Sequence, residues 1–124
     1  MQKIRIGIVG YGNLGKSAEL GIRQNEDMEL VGVFTRRDPS SVKILTEGVN
    51  VYHVDDAKNM TDKIDVMLLC GGSMSDLPQQ GPEFAKYFNT VDGFDTHAKI
   101  PEYFEAVDRS AKENHHVCVI STGW

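Results

Sequence analysis

The chain lacks the features that would tie it to a membrane, a nucleic acid or an oxidising compartment. It holds two cysteines, four prolines and one tryptophan, and its 13 Lys and Arg against 18 Asp and Glu give a formal net charge of −5. No apolar run approaches the roughly 20 residues that span a bilayer, and the N-terminus has no signal-peptide pattern. Nucleic acids and anionic membranes bind clustered positive charge, which the sequence does not contain. We therefore expect a small-molecule ligand, no nucleic-acid or membrane partner, and a cytoplasmic location.

The few cysteines and histidines also argue against a metal centre. Cys70 and Cys118 lie in apolar, strand-like segments, which predicts two buried, reduced thiols rather than a disulfide or a metal pair. The four histidines and two cysteines show no zinc spacing. Asp55-Asp56 suits the start of a helix and His115-His116 the end of one, because each charge complements the helix dipole there. No metal site is predicted.

Short apolar runs alternate with amphipathic stretches along the chain, whose 40% hydrophobic and 25% charged content is typical of one soluble domain. The pattern predicts strands at 3–9, 29–35, 49–54, 64–70, 90–91 and 117–120. It predicts helices or helical turns at 14–24, 41–47 and 55–61. It also predicts a helix capped by Ser75 or Asp76, and another that begins at Pro101 and has Tyr103, Phe104, Val107 and Ala111 on one face. The run 64–70 is apolar throughout, which suits a central strand buried on both faces. Strands separated by helices predict a parallel, doubly wound α/β sheet of about six strands with helices on both faces, forming one domain over 1–124.

A glycine motif, Gly10-Tyr11-Gly12-Asn13-Leu14-Gly15, follows the first predicted strand and precedes the first predicted helix. Gly10 permits a sharp turn, Gly12 lets a pyrophosphate approach bare backbone, and Gly15 lets helix and strand pack closely. The helix N-terminus offers free N–H groups to the anion. In this strand and helix context the motif predicts a Rossmann fold that binds a dinucleotide, rather than an ordinary glycine turn.

The second predicted strand ends in Thr35-Arg36-Arg37, at the place where an NAD enzyme carries a carboxylate for the adenosine ribose. A neutral hydroxyl followed by two guanidinium groups suits the 2′-phosphate of NADP instead, because Arg binds phosphate through parallel hydrogen bonds. Two such contacts predict a preference for NADP on the order of a hundredfold or more. The alternative is a solvated arginine pair on a loop.

Two further strand ends reach the same edge of the predicted sheet. Cys70-Gly71-Gly72-Ser73 is small enough for a second backbone approach to the coenzyme, although a flexible turn before a helix is the alternative. The next strand ends in residues 92–97, which would bring the carboxylate of Asp95, the aromatic face of Phe94 and the imidazole of His97 towards the nicotinamide. Asp is also a common turn residue, so a functional and a structural role for Asp95 both stand at this point.

The last residue is Trp124, directly after the final predicted strand. A large aromatic residue is unusual at a terminus that would normally be frayed and polar. We expect either a cut polypeptide that lacks the wall opposite the nicotinamide, or a Trp124 that folds back onto the sheet.

Five sequence blocks together resemble the N-terminal half of the meso-diaminopimelate dehydrogenases. They are GYGNLG at 10–15, FTRR at 34–37, CGGSMSDLPQQ at 70–80, VDGFDTH at 91–97 and STGW at 121–124. The resemblance covers the whole chain, and the later blocks are much more specific than the glycine motif. It implies an NADP-dependent oxidoreductase that oxidatively deaminates the D-configured centre of meso-2,6-diaminopimelate to L-2-amino-6-oxopimelate and ammonia, in lysine and cell-wall precursor supply.

The resemblance also implies roles for individual residues. It assigns Asp95 to the catalytic site, where its carboxylate would pair with the substrate ammonium group, and it assigns substrate contacts to Asp95 and Trp124. Together with the glycines of the motif, the expected coenzyme contacts are Gly10, Tyr11, Gly12, Asn13, Leu14, Gly15, Thr35, Arg36, Arg37, Cys70, Gly71, Gly72, Ser73, Gly93, Phe94 and Asp95.

Members of this family continue after the Gly-Trp pair with an acidic residue and a large domain that supplies most substrate contacts and the dimer interface. We therefore expect the chain to bind NADP(H) without turning over diaminopimelate, and the full-length enzyme to be a homodimer. Two alternatives remain: a freestanding NADP-binding, redox-sensing module, and another Rossmann reductase of the dihydrodipicolinate reductase and sugar oxidoreductase superfamily.

Overall fold

Six parallel strands form a single sheet in the computed structural model, which describes residues 2–72 and 75–122. The strands are β1 Ile4–Val9, β2 Met28–Thr35, β3 Asn50–His53, β4 Val66–Leu69, β5 Asn89–Asp92 and β6 Cys118–Val119. Within the described residues they pair in the order β3-β2-β1-β4-β5-β6, with every pairing parallel. The sheet order reverses between β1 and β4, where open α/β sheets bind their ligands.

In the described part of the chain, three α-helices and three short 3-10 helices connect these strands. They are α1 Asn13–Arg23, α2 Leu77–Ala85 and α3 Ile100–Asn114, with the 3-10 helices at Pro39–Ser41, Val54–Met60 and His97–Lys99. The doubly wound fold predicted from the sequence is confirmed, and β4 lies between β1 and β5 as expected for its apolar run.

Alternating residues of the strands build two cores, one on each face of the sheet. Ile6 and Ile8 of β1 point to the core that holds Ile22 of α1. Val9 belongs instead to the larger core, which holds Phe84 of α2 and residues of α3. Because successive side chains of a strand point to opposite faces, this division places helices on both faces of the sheet.

Helix α3 differs from its predicted apolar face at one residue. Tyr103, Val107 and Ala111 are buried as the spacing predicts, but Phe104 is 55% exposed, so its assignment to the buried face is wrong. A residue directly after Tyr103 is rotated about 100° around the helix axis, which carries the ring away from the core. The helix ends at Asn114 and is followed by the C-cap residue His115, whose φ of 59° is left-handed.

The segment 41–47 is not the helix that the sequence predicts. Its only helical part is the end of the 3-10 helix Pro39–Ser41. The amides of Leu45 and Thr46 donate instead to the buried carboxylate of Glu19, at 3.1 and 2.9 Å. This side chain takes up the N–H groups that a helix would have paired with its own carbonyls.

The two cysteines are free and partly buried, less enclosed than predicted. Burial raises the pKa of the Cys70 thiol to about 12. Among the described residues there is no group of three or more His, Cys, Asp or Glu side chains arranged to hold a metal ion. None of the described helices has both the length and the apolar character needed to cross a membrane.

Candidate functional site

The carboxyl ends of β1, β2 and β4 open into one cavity of about 370 Å³. It brings together three sequence-predicted segments: the first glycines of the motif, the Thr35–Arg37 turn and the Cys70–Gly72 loop. Asn13 and Leu14 are exposed on the first turn of α1. Ser73 of the predicted set lies outside the described residues.

The glycine motif has the backbone geometry that its spacing predicts. Gly10 has a φ of +90°, a left-handed conformation that favours glycine, and its N–H donates to the Phe34 carbonyl at 2.8 Å. A Cβ on Gly15 would clash with the carbonyl oxygen of Gly10. At Gly12 no described atom other than those of its two chain neighbours lies within 4 Å of a would-be Cβ. The space above Gly12 is therefore open, and α1 begins at the next residue with its free N–H groups.

Tyr11 is held in place by a buried acid, Glu19, that does not belong to the sequence-predicted site residues. Its hydroxyl donates a hydrogen bond to Glu19, and the Glu19 carboxylate also accepts from the Thr46 hydroxyl at 2.6 Å. Burial alone would raise the pKa of Glu19, but the hydrogen bonds from Thr46, Tyr11 and two backbone amides outweigh it and lower the pKa. Burial, with the hydrogen bond to Glu19, raises the pKa of Tyr11 to about 12. The sequence does carry a signal, because Glu19 shares the buried face of α1 with Gly15 and Ile22.

The turn Thr35–Arg37 after β2 presents two arginines to the cavity. Thr35 is buried, and its hydroxyl accepts from the backbone N–H of Arg37 at 3.0 Å. Arg36 and Arg37 are both exposed and line the cavity. The turn thus offers guanidinium groups at the site where an adenosine ribose lies in Rossmann enzymes.

Arg36 forms an ion pair across the cavity with Asp76, whose Oδ1 lies 2.7 Å from the guanidinium Nη2. The other carboxylate oxygen accepts from the Gly72 N–H at 3.2 Å. Asp76 is the N-cap residue of α2 by position, as predicted, but its side chain makes no capping hydrogen bond to that helix. A Cβ on Gly71 would lie only 2.7 Å from the Asp76 Cβ. The sequence predicts a helix cap here, and the carboxylate instead faces the cavity.

The end of β5 is organised by Asp92, a buried carboxylate that is 3% exposed. It accepts from the Tyr103 hydroxyl, from the Phe94 N–H at 3.0 Å and from the Ser121 N–H at 3.1 Å. It therefore joins the loop after β5 to the segment after β6. Burial, followed by the Asp92 hydrogen bond, raises the pKa of Tyr103.

The loop after β5 does not present the aromatic face that the sequence predicts. The Phe94 ring is 1% exposed and stacks on Tyr103 with centroids 4.0 Å apart, so that expectation is wrong. The ring belongs to the core, and only the backbone of Phe94 remains for a ligand. Asp95 itself is exposed. The predicted contacts Gly93–Asp95 do not line the 370 Å³ cavity but follow the neighbouring strand. Trp124 lies outside the described residues.

A parallel sheet in the order β3-β2-β1-β4-β5-β6, with a glycine motif at its switch point, defines a Rossmann-type nucleotide-binding domain. Comparison with known proteins shows which enzymes this domain resembles. No protein-family model matches the chain. The meso-diaminopimelate D-dehydrogenase of Acetivibrio thermocellus is 73% identical over all 124 residues, and the chain spans 37% of its length.

Solved structures agree with this relationship. An engineered D-amino acid dehydrogenase described as bound to NADP+ superposes with a TM-score of 0.89 at 41% identity, over 99% of this chain and 37% of that one. The C. glutamicum DAP dehydrogenase in complex with DAP superposes with a TM-score of 0.88 at 42% identity, over 100% of this chain and 37% of that one. The resemblance found in the sequence is thereby confirmed: over its whole length the chain is similar to the N-terminal part of the meso-diaminopimelate dehydrogenases.

Proposed function

We propose that this chain is the NADP(H)-binding domain of a meso-diaminopimelate dehydrogenase. The observation that carries the proposal is the cavity at the sheet switch point, which joins the glycine motif, two arginines and the Gly71-Gly72 loop. The family relationship supports the same coenzyme, since the engineered relative is described as bound to NADP+.

The motif fits the pyrophosphate of the coenzyme. The open space above Gly12 leaves room for a phosphate against bare backbone, and the free N–H groups of α1 would donate to it. Tyr11, Asn13 and Leu14 follow the same turn and belong to the proposed contact set. Gly10 and Gly15 act indirectly, because they allow the turn and the close packing that hold this backbone in position.

The turn after β2 fits a 2′-phosphate better than a free ribose. Arg36 and Arg37 are exposed at the cavity, and charge-assisted hydrogen bonds from guanidinium to phosphate are among the strong ones. The buried hydroxyl of Thr35 fixes the turn through the Arg37 N–H. Cys70, Gly71, Gly72 and Ser73 complete the proposed coenzyme contacts on the other side.

The substrate end is proposed for the loop after β5. The exposed carboxylate of Asp95 would pair with the ammonium group at the D-configured centre, and Gly93 and the Phe94 backbone would contact the nicotinamide. Trp124 would form part of the substrate wall. When bound, the nicotinamide accepts the hydride that leaves the substrate carbon.

The proposed overall reaction balances with water. The C–H and C–N bonds at the D-centre break, the hydride goes to NADP+, and water supplies the oxygen of the new carbonyl. The products are L-2-amino-6-oxopimelate, ammonium, NADPH and a proton. In this scheme Asp95 would hold the amino group so that the C–H bond of the same carbon points at the hydride acceptor. Such positioning lowers the barrier.

The chain spans 37% of its A. thermocellus relative, so most of the substrate pocket would come from the rest of such an enzyme. We propose that residues 1–124 form the coenzyme domain only and do not turn over diaminopimelate alone. A homodimeric full-length enzyme and a cytoplasmic location belong to the same proposal.

Titration of the isolated chain with NADPH and with NADH, followed by nicotinamide fluorescence, tests the coenzyme assignment. We expect NADPH to bind on the order of a hundredfold more tightly, since two charge-assisted bonds are lost with the phosphate. Equal affinities, or binding of neither, would overturn it. Steady-state deamination of diaminopimelate by the chain alone would contradict the proposal that residues 1–124 form only the coenzyme domain.

A further inference from the structure

We infer that Asp76 is a specificity-determining residue of the coenzyme site, which opposes the 2′-phosphate and favours a free ribose. The inference rests on the proposed NADP(H) function and deepens it. Its structural basis is the ion pair across the cavity between Asp76 and Arg36, at 2.7 Å. Arg36 is one of the two arginines proposed to hold the 2′-phosphate, so the carboxylate and the phosphate compete for its guanidinium group.

The side chain of Asp76 interacts with groups at the cavity and does not cap helix α2. It lies at the N-cap of α2 but makes no capping hydrogen bond there. Its Oδ2 accepts from the Gly72 N–H at 3.2 Å, which turns the other oxygen towards Arg36. The side chain is only 17% exposed, whereas that of Arg36 is 65% exposed. The carboxylate is therefore held in place, and the arginine is the partner free to move.

Two enclosed acceptor oxygens at this end of the cavity fit a ligand that donates hydrogen bonds. Asp76 Oδ1 contacts Arg36 as an ion pair but makes no well-directed hydrogen bond within the described residues, and Gln80 Oε1 also has no partner there. Both residues line the cavity. Buried acceptors are stabilised by a donor, and the 2′- and 3′-hydroxyl groups of an NADH ribose are donors. NADPH keeps the 3′-hydroxyl donor, but its 2′-phosphate offers only negative charge to these oxygens.

The electrostatic sign follows from these contacts. A phosphate dianion that reaches Arg36 must approach the Asp76 carboxylate as well, and like charges this close repel. Because Arg36 is largely exposed, its pair with Asp76 is weak enough for a phosphate to displace. Asp76 therefore lowers the affinity for NADPH without preventing binding, and it leaves the site able to accept NADH.

The test is the ratio of the dissociation constants for NADH and NADPH in the wild-type chain and in Asp76→Asn. Asn keeps an acceptor for the Gly72 N–H and remains a good N-cap residue, so the substitution removes mainly the charge. We expect the ratio to rise about fivefold, or about 1 kcal/mol, through tighter NADPH binding and weaker NADH binding. Added salt would shrink the gain in NADPH affinity.

Asp108→Asn is the matched control, because it removes the same charge from an ion pair with Lys112 on α3, at 3.1 Å and away from the cavity. Its ratio should equal the wild-type value. In an Arg36→Ala background, Asp76→Asn should change the ratio less than in the wild type, because the shared guanidinium is gone. Asp76→Ser, which also suits an N-cap, repeats the test if the Asn variant does not fold.

An unchanged or lowered ratio in Asp76→Asn would overturn the inference, since a lowered ratio would mean that Asp76 presents Arg36 to the phosphate. These outcomes differ from failure of the proposed function. If the wild-type chain binds neither nucleotide, the coenzyme assignment itself is wrong. If the wild-type chain prefers NADPH and Asp76→Asn leaves that preference unchanged, only the role of Asp76 is wrong.

Discussion

The hydroxyl of Tyr11 donates a hydrogen bond to the fully buried carboxylate of Glu19, and this contact ties the glycine loop to the helix that follows it. The same carboxylate receives the N–H groups of Leu45 and Thr46. One acidic side chain therefore holds the glycine turn, helix α1 and the segment before β3 in one arrangement. Because unpaired buried charge is costly, this arrangement depends on all of its donors.

We expect Glu19→Ala to lower the free energy of unfolding by about 3 kcal/mol, because buried donors on three residues lose their acceptor. Glu19→Gln should cost less, since its amide oxygen can still accept some of these bonds. Urea unfolding followed by circular dichroism measures both. Glu105→Gln, at an exposed position of α3, is the control and should change stability little. A Glu19→Ala chain as stable as the control would refute the role of this carboxylate.

The same pair predicts how stability depends on pH at both extremes. The folded pKa of Glu19 is below its ordinary value of 4.5, so its contribution is present above pH 4.5 and is lost as pH falls through the folded pKa. The folded pKa of Tyr11 rises from 10.0 to about 12, so its contribution is present below pH 10 and is lost between pH 10 and 12. Denaturant midpoints across pH in wild type and Tyr11→Phe measure this. The variant should lose the decline that belongs to Tyr11; an identical alkaline profile would contradict it.

The first and third glycines of the sequence motif were predictable because their task is local. A turn from strand to helix needs a left-handed residue and a close approach, and Gly10 and Gly15 supply both within a few residues. The strand pattern and the parallel sheet were predictable for the same reason, since the period of apolar residues reports burial along one element.

The sequence did not reveal the polar partners of the site because they are distant along the chain. Glu19 meets Leu45 across 26 residues, and Asp92 meets Ser121 across 29. No short-range sequence pattern predicts such pairs. Asp76 lies where a helix cap is expected, so the sequence does not predict its contact with Arg36. The failed helix prediction at 41–47 has the same origin, because a distant carboxylate takes the amides that a helix requires.

Gly12→Ala and Gly15→Ala should separate binding from folding. At Gly12 the new methyl group enters open space, so the chain should fold with nearly wild-type stability but bind NADPH at least about tenfold more weakly, by blocking the phosphate approach. At Gly15 the methyl group would clash with the Gly10 carbonyl, so stability should fall by about 2 kcal/mol or more. Thermal unfolding and NADPH titration of each variant give the two quantities. If both variants lost only stability, the assignment of the open space to a phosphate would be wrong.

Arg36→Ala should reduce the preference for the phosphorylated coenzyme, because only Arg37 of the two arginines then remains at the cavity. We expect NADPH affinity to fall by about tenfold or more, since a charge-assisted hydrogen bond is lost, with little change for NADH. Arg109→Ala, at an exposed position on α3, removes the same charge away from the cavity and is the control. Equal losses for the two coenzymes in Arg36→Ala would refute a phosphate-specific role.

The hydrogen bond between Tyr103 and Asp92 supports the loop on which Asp95 lies. The Tyr103 hydroxyl donates to Asp92 and lies so close to Gly81 that a Cβ there would clash with it. Tyr103→Phe keeps the stacking on Phe94 but leaves the buried Asp92 carboxylate without one donor, which should cost about 1 to 3 kcal/mol of stability. Urea unfolding measures the loss, and Tyr87→Phe is the control, because Tyr87 is only partly buried. The two amides that Asp92 still accepts from, on Phe94 and Ser121, should then exchange faster with solvent deuterium than in the control. Unchanged exchange at both amides would mean that Asp92 does not depend on Tyr103 to hold the two loops together.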